Sequence, residues 1–140
     1  MPVDIRRAHV AHYPINRGPL SMTNSKEAWL RHPGWIGVDL DGTLAHYEGW
    51  TEHIGEPIPA MVNRVKAWLA KGKEVRIFTA RAFTPNGDPI DDQFKKIYAW
   101  CYAQFSKPLP ITNRKDIHMI ELWDDRAVQV IPNIGEPVGR

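Results

Sequence analysis

Trp35-Ile36-Gly37-Val38-Asp39-Leu40-Asp41-Gly42-Thr43-Leu44 decides how this chain reads. A short apolar run ends in two aspartates one residue apart, and a Gly-Thr turn follows. Successive side chains of a strand point to opposite faces. Asp39 and Asp41 therefore cannot serve one site while the backbone stays extended, and a turn starting near Gly42 has to break the alternation. Carboxylates at the end of an apolar strand are costly to bury. A bound cation or a catalytic duty is what offsets that cost.

Outward from this stretch, strand and helix signals alternate. A first strand over 35–39 precedes a polar, aromatic-rich segment, 42–56, that reads as a hairpin flap. Pro57 and Pro59 introduce a helix reaching Lys71, since proline suits a first helical turn. On it Val62, Val65, Trp68 and Leu69 recur at helical spacing, and Gly72 is the expected C-cap. Glu74–Thr79 reads as the second strand. A further helix begins at Asp88 or Pro89, with Ile90, Phe94, Ile97, Tyr98, Cys101 and Phe105 on one stripe, and Pro108 and Pro110 close that segment. Short strands are expected near 110–112 and 119–123, with 127–131 as a last one. This order implies an α/β fold, a three-layer, doubly wound, Rossmann-like and mostly parallel sheet with helices on both faces. Residues 35–140 form the expected domain. Residues 1–34, with Pro2, Pro14, Pro19 and Pro33 and little periodicity, read as a loosely ordered leader with a short helix around 25–31. His9 and His12 there are spaced like a metal pair but have no further ligands in support.

In such sheets ligands sit beyond the carboxyl ends of the strands. Polar residues of the required kinds fall at those ends: Asp39 and Asp41, then Thr79 and Arg81, then Asp124 and Asp125. Four carboxylates brought together repel one another. A divalent cation relieves the repulsion, and an all-oxygen ligand set with few protein donors suits Mg²⁺. Each member also has a plainer reading. Asp124-Asp125 could cap a helix, Thr79 could simply finish a strand, and Arg81 could be a solvated charge instead of a phosphate-binding fork.

The Asp39-x-Asp41-Gly42-Thr43 pattern in this strand-to-turn setting resembles the nucleophile motif of the haloacid dehalogenase (HAD) superfamily of aspartate-dependent phosphatases. The resemblance covers residues 35–131. It implies that Asp39 attacks phosphorus to form an aspartyl-phosphate, while Asp41 protonates the leaving oxygen and later deprotonates water. It also implies a Mg²⁺ site made by the Asp39 side chain, the Asp41 backbone carbonyl and the acidic fourth motif, Asp124-Asp125, with Asp125 the direct ligand. Thr79 corresponds to the hydroxyl that binds a phosphoryl oxygen. Lys115, with Arg114 as alternative, corresponds to the charge-balancing base. Gly42, Thr43, Arg81 and Arg114 are the expected substrate contacts. The close spacing of Asn113-Arg114-Lys115-Asp116 to Asp124 is similar to that of deoxyribonucleotidase-like members.

The intervals 44–78 and 82–114 are used by the flap, helices and loops, which implies little or no cap domain and an open site. His46, Tyr47, Trp50 and His53 of the flap could stack on a base or sugar, or merely pack it. Asp124-Asp125-Arg126 and Thr79-x-Arg81 look like the phosphatase module of phage-type polynucleotide kinase/phosphatases, although no Gly-x-x-x-x-Gly-Lys-Ser/Thr loop is present. The expected activity is a Mg²⁺-dependent phosphatase on a phosphorylated small molecule or nucleic acid end. The alternatives are a non-catalytic phosphate- or nucleic-acid-binding module, or a phosphotransferase or small-metabolite phosphatase. A net charge of +2 exerts no pull toward nucleic acid or membrane. The 43% hydrophobic and 24% charged content suits a globular domain. The single cysteine excludes an internal disulfide and fits a cytoplasmic setting. No run is long and apolar enough for a membrane span or a signal peptide.

Overall fold

The computed structural model describes residues 21–140; residues 1–20, including His9 and His12, lie outside the described residues. Ser21–Leu30 forms helix α1, longer than the short helix expected there. Four strands follow: β1 (Trp35–Val38), β2 (Glu74–Phe78), β3 (Ile111–Thr112) and β4 (Met119–Trp123). They pair in the order β3-β2-β1-β4, all parallel. Helix α2 (Pro59–Ala70) carries the chain from β1 to β2, and α3 (Asp91–Phe105) from β2 to β3. The α/β, Rossmann-like class read from the sequence is the fold observed.

Local chemistry explains the elements. Proline at its first position starts α2, where the missing N–H leaves no hydrogen bond unmade. Its end is closed by Gly72 at a positive φ of 79°, with Gly72 and Lys73 amides donating to Leu69 and Trp68 carbonyls, as a helix C-terminus requires. Helix α3 opens with Asp91 and Asp92, whose charges suit the positive end of the helix dipole. Alternation then sorts the strands. Ile36, Val38, Val75 and Ile77 join Met61, Val62, Val65, Phe94, Ile97 and Cys101 in one buried cluster, so α2 and α3 cover the same face. Burial pushes the Cys101 thiol up to about 12, which leaves it a packing residue.

The opposite face bears Trp35 and Arg76. Arg76 is fully buried, lies 4.3 Å from the Trp35 ring centre, and pairs with Glu74 and Asp116. The connection 113–118 crosses this face: Asp116 accepts from Trp35 Nε1 at 2.8 Å and from the His118 amide at 2.8 Å. Trp29, at the end of α1, meets His118 edge-on and His32 lies tilted against it, with ring centres 4.8 and 4.9 Å apart. The second layer is thus a crossing segment buttressed by α1.

One expected strand needs correction. Residues 127–131 do not form a strand. Val130 makes an isolated bridge to Pro137, and Ile131 donates to the Glu136 carbonyl, so the apolar residues there pair locally and stay largely exposed. Further, β4 pairs with β1 through a register irregularity between Trp35 and Ile36, a bulge that the sequence alone did not signal. No helix among the described residues is long and apolar enough to cross a membrane.

Candidate active site

The carboxyl ends of β1, β2 and β4 open on one cleft of about 580 Å³, lined by Asp39, Asp41, Thr79, Arg81, Asp125 and Arg126, with Tyr47 and Trp50 from the flap. Val38 is in register with Trp123, and the Asp39 amide donates to the Trp123 carbonyl at 2.9 Å. That pairing sets Asp39 beside Asp124-Asp125. Carboxylate oxygens of Asp39, Asp124 and Asp125 lie within 4.8 Å of one another.

The turn after β1 makes this closeness possible. The Leu44 and Ala45 amides both donate to the Leu40 carbonyl, and the Gly42 amide donates to the Ala45 carbonyl. Leu40 and Leu44 are fully buried beneath. Gly42 sits at a φ of +90°, and a Cβ there would lie 2.4 Å from Asp125 Oδ2. Only glycine admits both the turn and the carboxylate. Thr43 ties the two strand ends together: its hydroxyl accepts from the Asp125 amide at 3.1 Å and faces Asp125 Oδ1 at 3.2 Å and Asp39 Oδ2 at 3.4 Å. Gly42 and Thr43, expected as substrate contacts, therefore also shape the acidic group.

Asp39 is pushed up to about 8. Burial is the largest cause, followed by its hydrogen bond with Asp125 and the charges of Asp124 and Asp125; the Leu40 amide opposes them. Burial and like charges both penalise the ionised form.

Asp41 lives in a different environment. Its two oxygens accept from Arg81 Nε and Nη2, each at 2.9 Å. Arg81 Nη1 donates to the Thr51 carbonyl at 2.9 Å, and the guanidinium lies 4.4 Å from the Trp50 ring centre. The solvated-charge reading of Arg81 is excluded, because this residue is buried. Its fork is spent on Asp41 and the flap, not held free for substrate. The Asp41 side chain is consequently not a member of the acidic group; only its backbone carbonyl was expected as a metal ligand.

Thr79 is buried after β2, its amide donating to the Thr112 carbonyl at 2.9 Å and its Oγ accepting from the Arg81 amide at 3.2 Å. Lys115 and Arg114 are not among the residues that line the cleft. Both are exposed in the crossing segment, whose course is set by Asp116 anchoring to Trp35 and Arg76 on the second face. Arg126 lines the cleft instead. The Asp124-Asp125-Arg126 run draws attention in the sequence, but Arg126 is given no role in the site there.

The flap is held at its edges. The His46 amide donates to the Glu56 carbonyl and the Ile58 amide to the Leu44 carbonyl, at 2.8 and 2.7 Å. From α3, Trp100 Nε1 donates to the Gly55 carbonyl at 3.0 Å and Lys96 Nζ to the Glu52 carbonyl at 3.2 Å. Between these ties Tyr47 and Trp50 stand exposed over the cleft.

Among solved structures, the chain is similar to a conserved protein coded by a locus from Bacteroides thetaiotaomicron. The TM-score is 0.50 at 22% identity, over 73% of this chain and 84% of that one. Such a likeness speaks for the α/β fold alone. No protein-family model and no curated protein matches the chain.

Proposed function

We propose that this protein is a Mg²⁺-dependent phosphomonoester hydrolase of HAD type, working through an aspartyl-phosphate on Asp39, with nucleotide or polynucleotide phosphates as substrates. The observation carrying this reading is the gathering of Asp39, Asp124 and Asp125 oxygens within 4.8 Å at the ends of neighbouring parallel strands, in an open cleft. The donors are hard oxygens, as Mg²⁺ requires. Their mutual repulsion, seen in Asp39, is what a cation would relieve. These residues fit the ion; Asp39, Asp124 and Asp125 would hold it. Bound there, Mg²⁺ would supply positive charge to the phosphoryl oxygens and favour ionised Asp39.

In this scheme an Asp39 oxygen attacks phosphorus while the bond to the leaving oxygen breaks, and Asp41 delivers the proton that oxygen needs. Water then attacks the aspartyl-phosphate, Asp41 takes its proton, and the acyl-phosphate P–O bond breaks to free Asp39 and inorganic phosphate. Arg81 holds Asp41 at both oxygens, so the proton is carried on the lone pair that the guanidinium leaves free on one oxygen. Thr79, whose Oγ accepts from a backbone amide, can donate its own proton to a phosphoryl oxygen. Arg126 supplies the cationic contact expected of Lys115.

The deciding measurement is phosphate release from a panel of phosphomonoesters with Mg²⁺ and with EDTA. Wild-type protein should turn over only with the metal, and Asp39→Asn should be inactive with its fold retained. Equal turnover by Asp39→Asn sinks the covalent route. A second reading, a phosphate-binding module without turnover, draws on the engagement of both Asp41 oxygens by Arg81 and on the absence of Lys115 from the residues lining the cleft. It expects phosphate binding with no release under any metal condition.

A further inference from the structure

Beyond the acidic group, the flap borders a second, half-open cavity of about 330 Å³ that shares Asp41, Tyr47, Trp50 and Arg81 with the first. That volume is at the small end of the range for ligand pockets, about 300–1,000 Å³. Three arginine–indole pairs occur among the described residues, and two of them are structural. Trp35, under Arg76, is completely buried, and Trp123, near Arg64, is half-buried. Trp50 differs. Arg81 backs it at 4.4 Å, yet 60% of its surface remains exposed, and it lines both cavities. A single exposed apolar ring on a surface is ordinary. A ring held by a buried guanidinium, lining the same cavities as a second aromatic and the cleft that holds the acidic group, offers a stacking platform.

The ties of the flap reinforce this. Gly55 packs so closely on the His46 carbonyl that a Cβ would lie 2.0 Å from it. With Trp100, Lys96 and Arg81 holding the carbonyls of Gly55, Glu52 and Thr51, the segment is pre-ordered while most of the Trp50 ring surface stays exposed. Pre-ordering lowers the cost of binding. The polar groups at hand, Thr51, His46 and His53, can meet the edge of a heterocycle but not the chain of a lipid.

We propose that the flap cavity is a subsite for the nucleobase of a phosphorylated substrate, with Trp50 as the stacking ring and specificity-determining residue and Tyr47 at its side. The proposal rests on the phosphatase reading for its phosphate but not for its base. Stacking on an aromatic side chain is sequence-tolerant, because every base offers a π-face. The subsite therefore accepts the base of a free nucleotide or of a strand terminus.

Calorimetric binding and steady-state turnover would be measured for AMP, ribose 5-phosphate and a 5′-phosphorylated oligonucleotide, all with Mg²⁺. The variants are Trp50→Ala and Trp50→Phe. Expected is a preference for AMP over ribose 5-phosphate that falls about 5- to 100-fold in Trp50→Ala, the range for one lost stack, and that Trp50→Phe largely restores. Using the ratio removes any general effect of Trp50 on Arg81 and Asp41. An unchanged ratio in Trp50→Ala, no preference in wild type, or no binding of either ligand overturns the subsite. Base-dependent binding without turnover supports the subsite and defeats the phosphatase reading; turnover indifferent to the base does the reverse. Tighter binding of the oligonucleotide than of AMP identifies a strand end as the natural source of the base.

Discussion

Gly42→Ala tests the acidic site at its narrowest point. Alanine at a φ of +90° costs about 1–2 kcal/mol in the left-handed region. Its Cβ would lie 2.4 Å from Asp125 Oδ2, about 1 Å inside the 3.4 Å at which ordinary contact begins. Asp125 must therefore swing away. The 3.2 Å contact with the Thr43 hydroxyl would then be lost, at about 1 kcal/mol. The sum, about 2–3 kcal/mol, corresponds to a Tm lower by roughly 5–10 °C for a chain of this size. Displacement of one carboxylate from the acidic group should also weaken Mg²⁺ binding about 10–100-fold, the scale of disturbing a ligand's support. Differential scanning fluorimetry with and without MgCl₂, together with calorimetric Mg²⁺ titration, measures both. Gly72→Ala is the control, since its φ is +79° but nothing lies within 4 Å of the added Cβ. It should show backbone strain alone, with normal metal binding. Unaltered Mg²⁺ affinity in Gly42→Ala would refute the assignment of Asp125 as a ligand held by close approach.

Asp39 makes the metal-free protein pH-dependent. Its folded-state value of about 8 lies above the ordinary 3.8, so the folded form holds the proton more tightly. That contribution is complete below about pH 4 and is lost as the pH rises through 8. Denaturant midpoints in EDTA should fall over this window, and saturating Mg²⁺ should flatten the trend. Asp116 acts in the opposite sense. Burial would raise it, but the Trp35 N–H, the His118 amide and Arg76 together hold it below the usual carboxylate range. Its stabilisation is present above about pH 4 and lost in acid, and Asp116→Asn should remove that acid-sensitive part of the unfolding curve. Arg81→Ala strands a mostly buried Asp41 and should cost about 3–5 kcal/mol; in a double-mutant cycle, Asp41→Asn on that background should add much less than it does alone. Trp100→Phe deletes the N–H that holds the Gly55 carbonyl, at about 1 kcal/mol, and amide exchange across 45–57 should quicken.

The acidic group was legible because strand ends and carboxylates coincide. Parallel strands deliver their carboxyl ends to one edge, so Asp39, Thr79 and Asp124-Asp125 had to meet once β1, β2 and β4 were recognised. The helices were equally readable from Pro59 and from the Phe94–Ile97–Cys101 stripe. The course of 113–118, which leaves Lys115 out of the cleft lining, was not readable, because it is set by Trp35 and Arg76 far away in sequence. The role of Arg81 was hidden for the same reason. Its partners, Asp41 and the Thr51 carbonyl, reach it only through tertiary contact. Residues 127–131 have strand-like alternation, but strand preference is decided by the neighbour a strand finds, and this segment finds only the nearby stretch 136–138.

The edges of the sheet have one more consequence. At one side β3 is only two residues long; at the other β4 is interrupted by its bulge and presents exposed Glu121. Unpaired strand edges recruit further chains when they are long, flat and apolar. Neither edge here offers such a template, so a second molecule has little backbone to zip onto. The protein can thus leave its acidic cleft open to solvent without its sheet edges becoming seeds for fibrous aggregation.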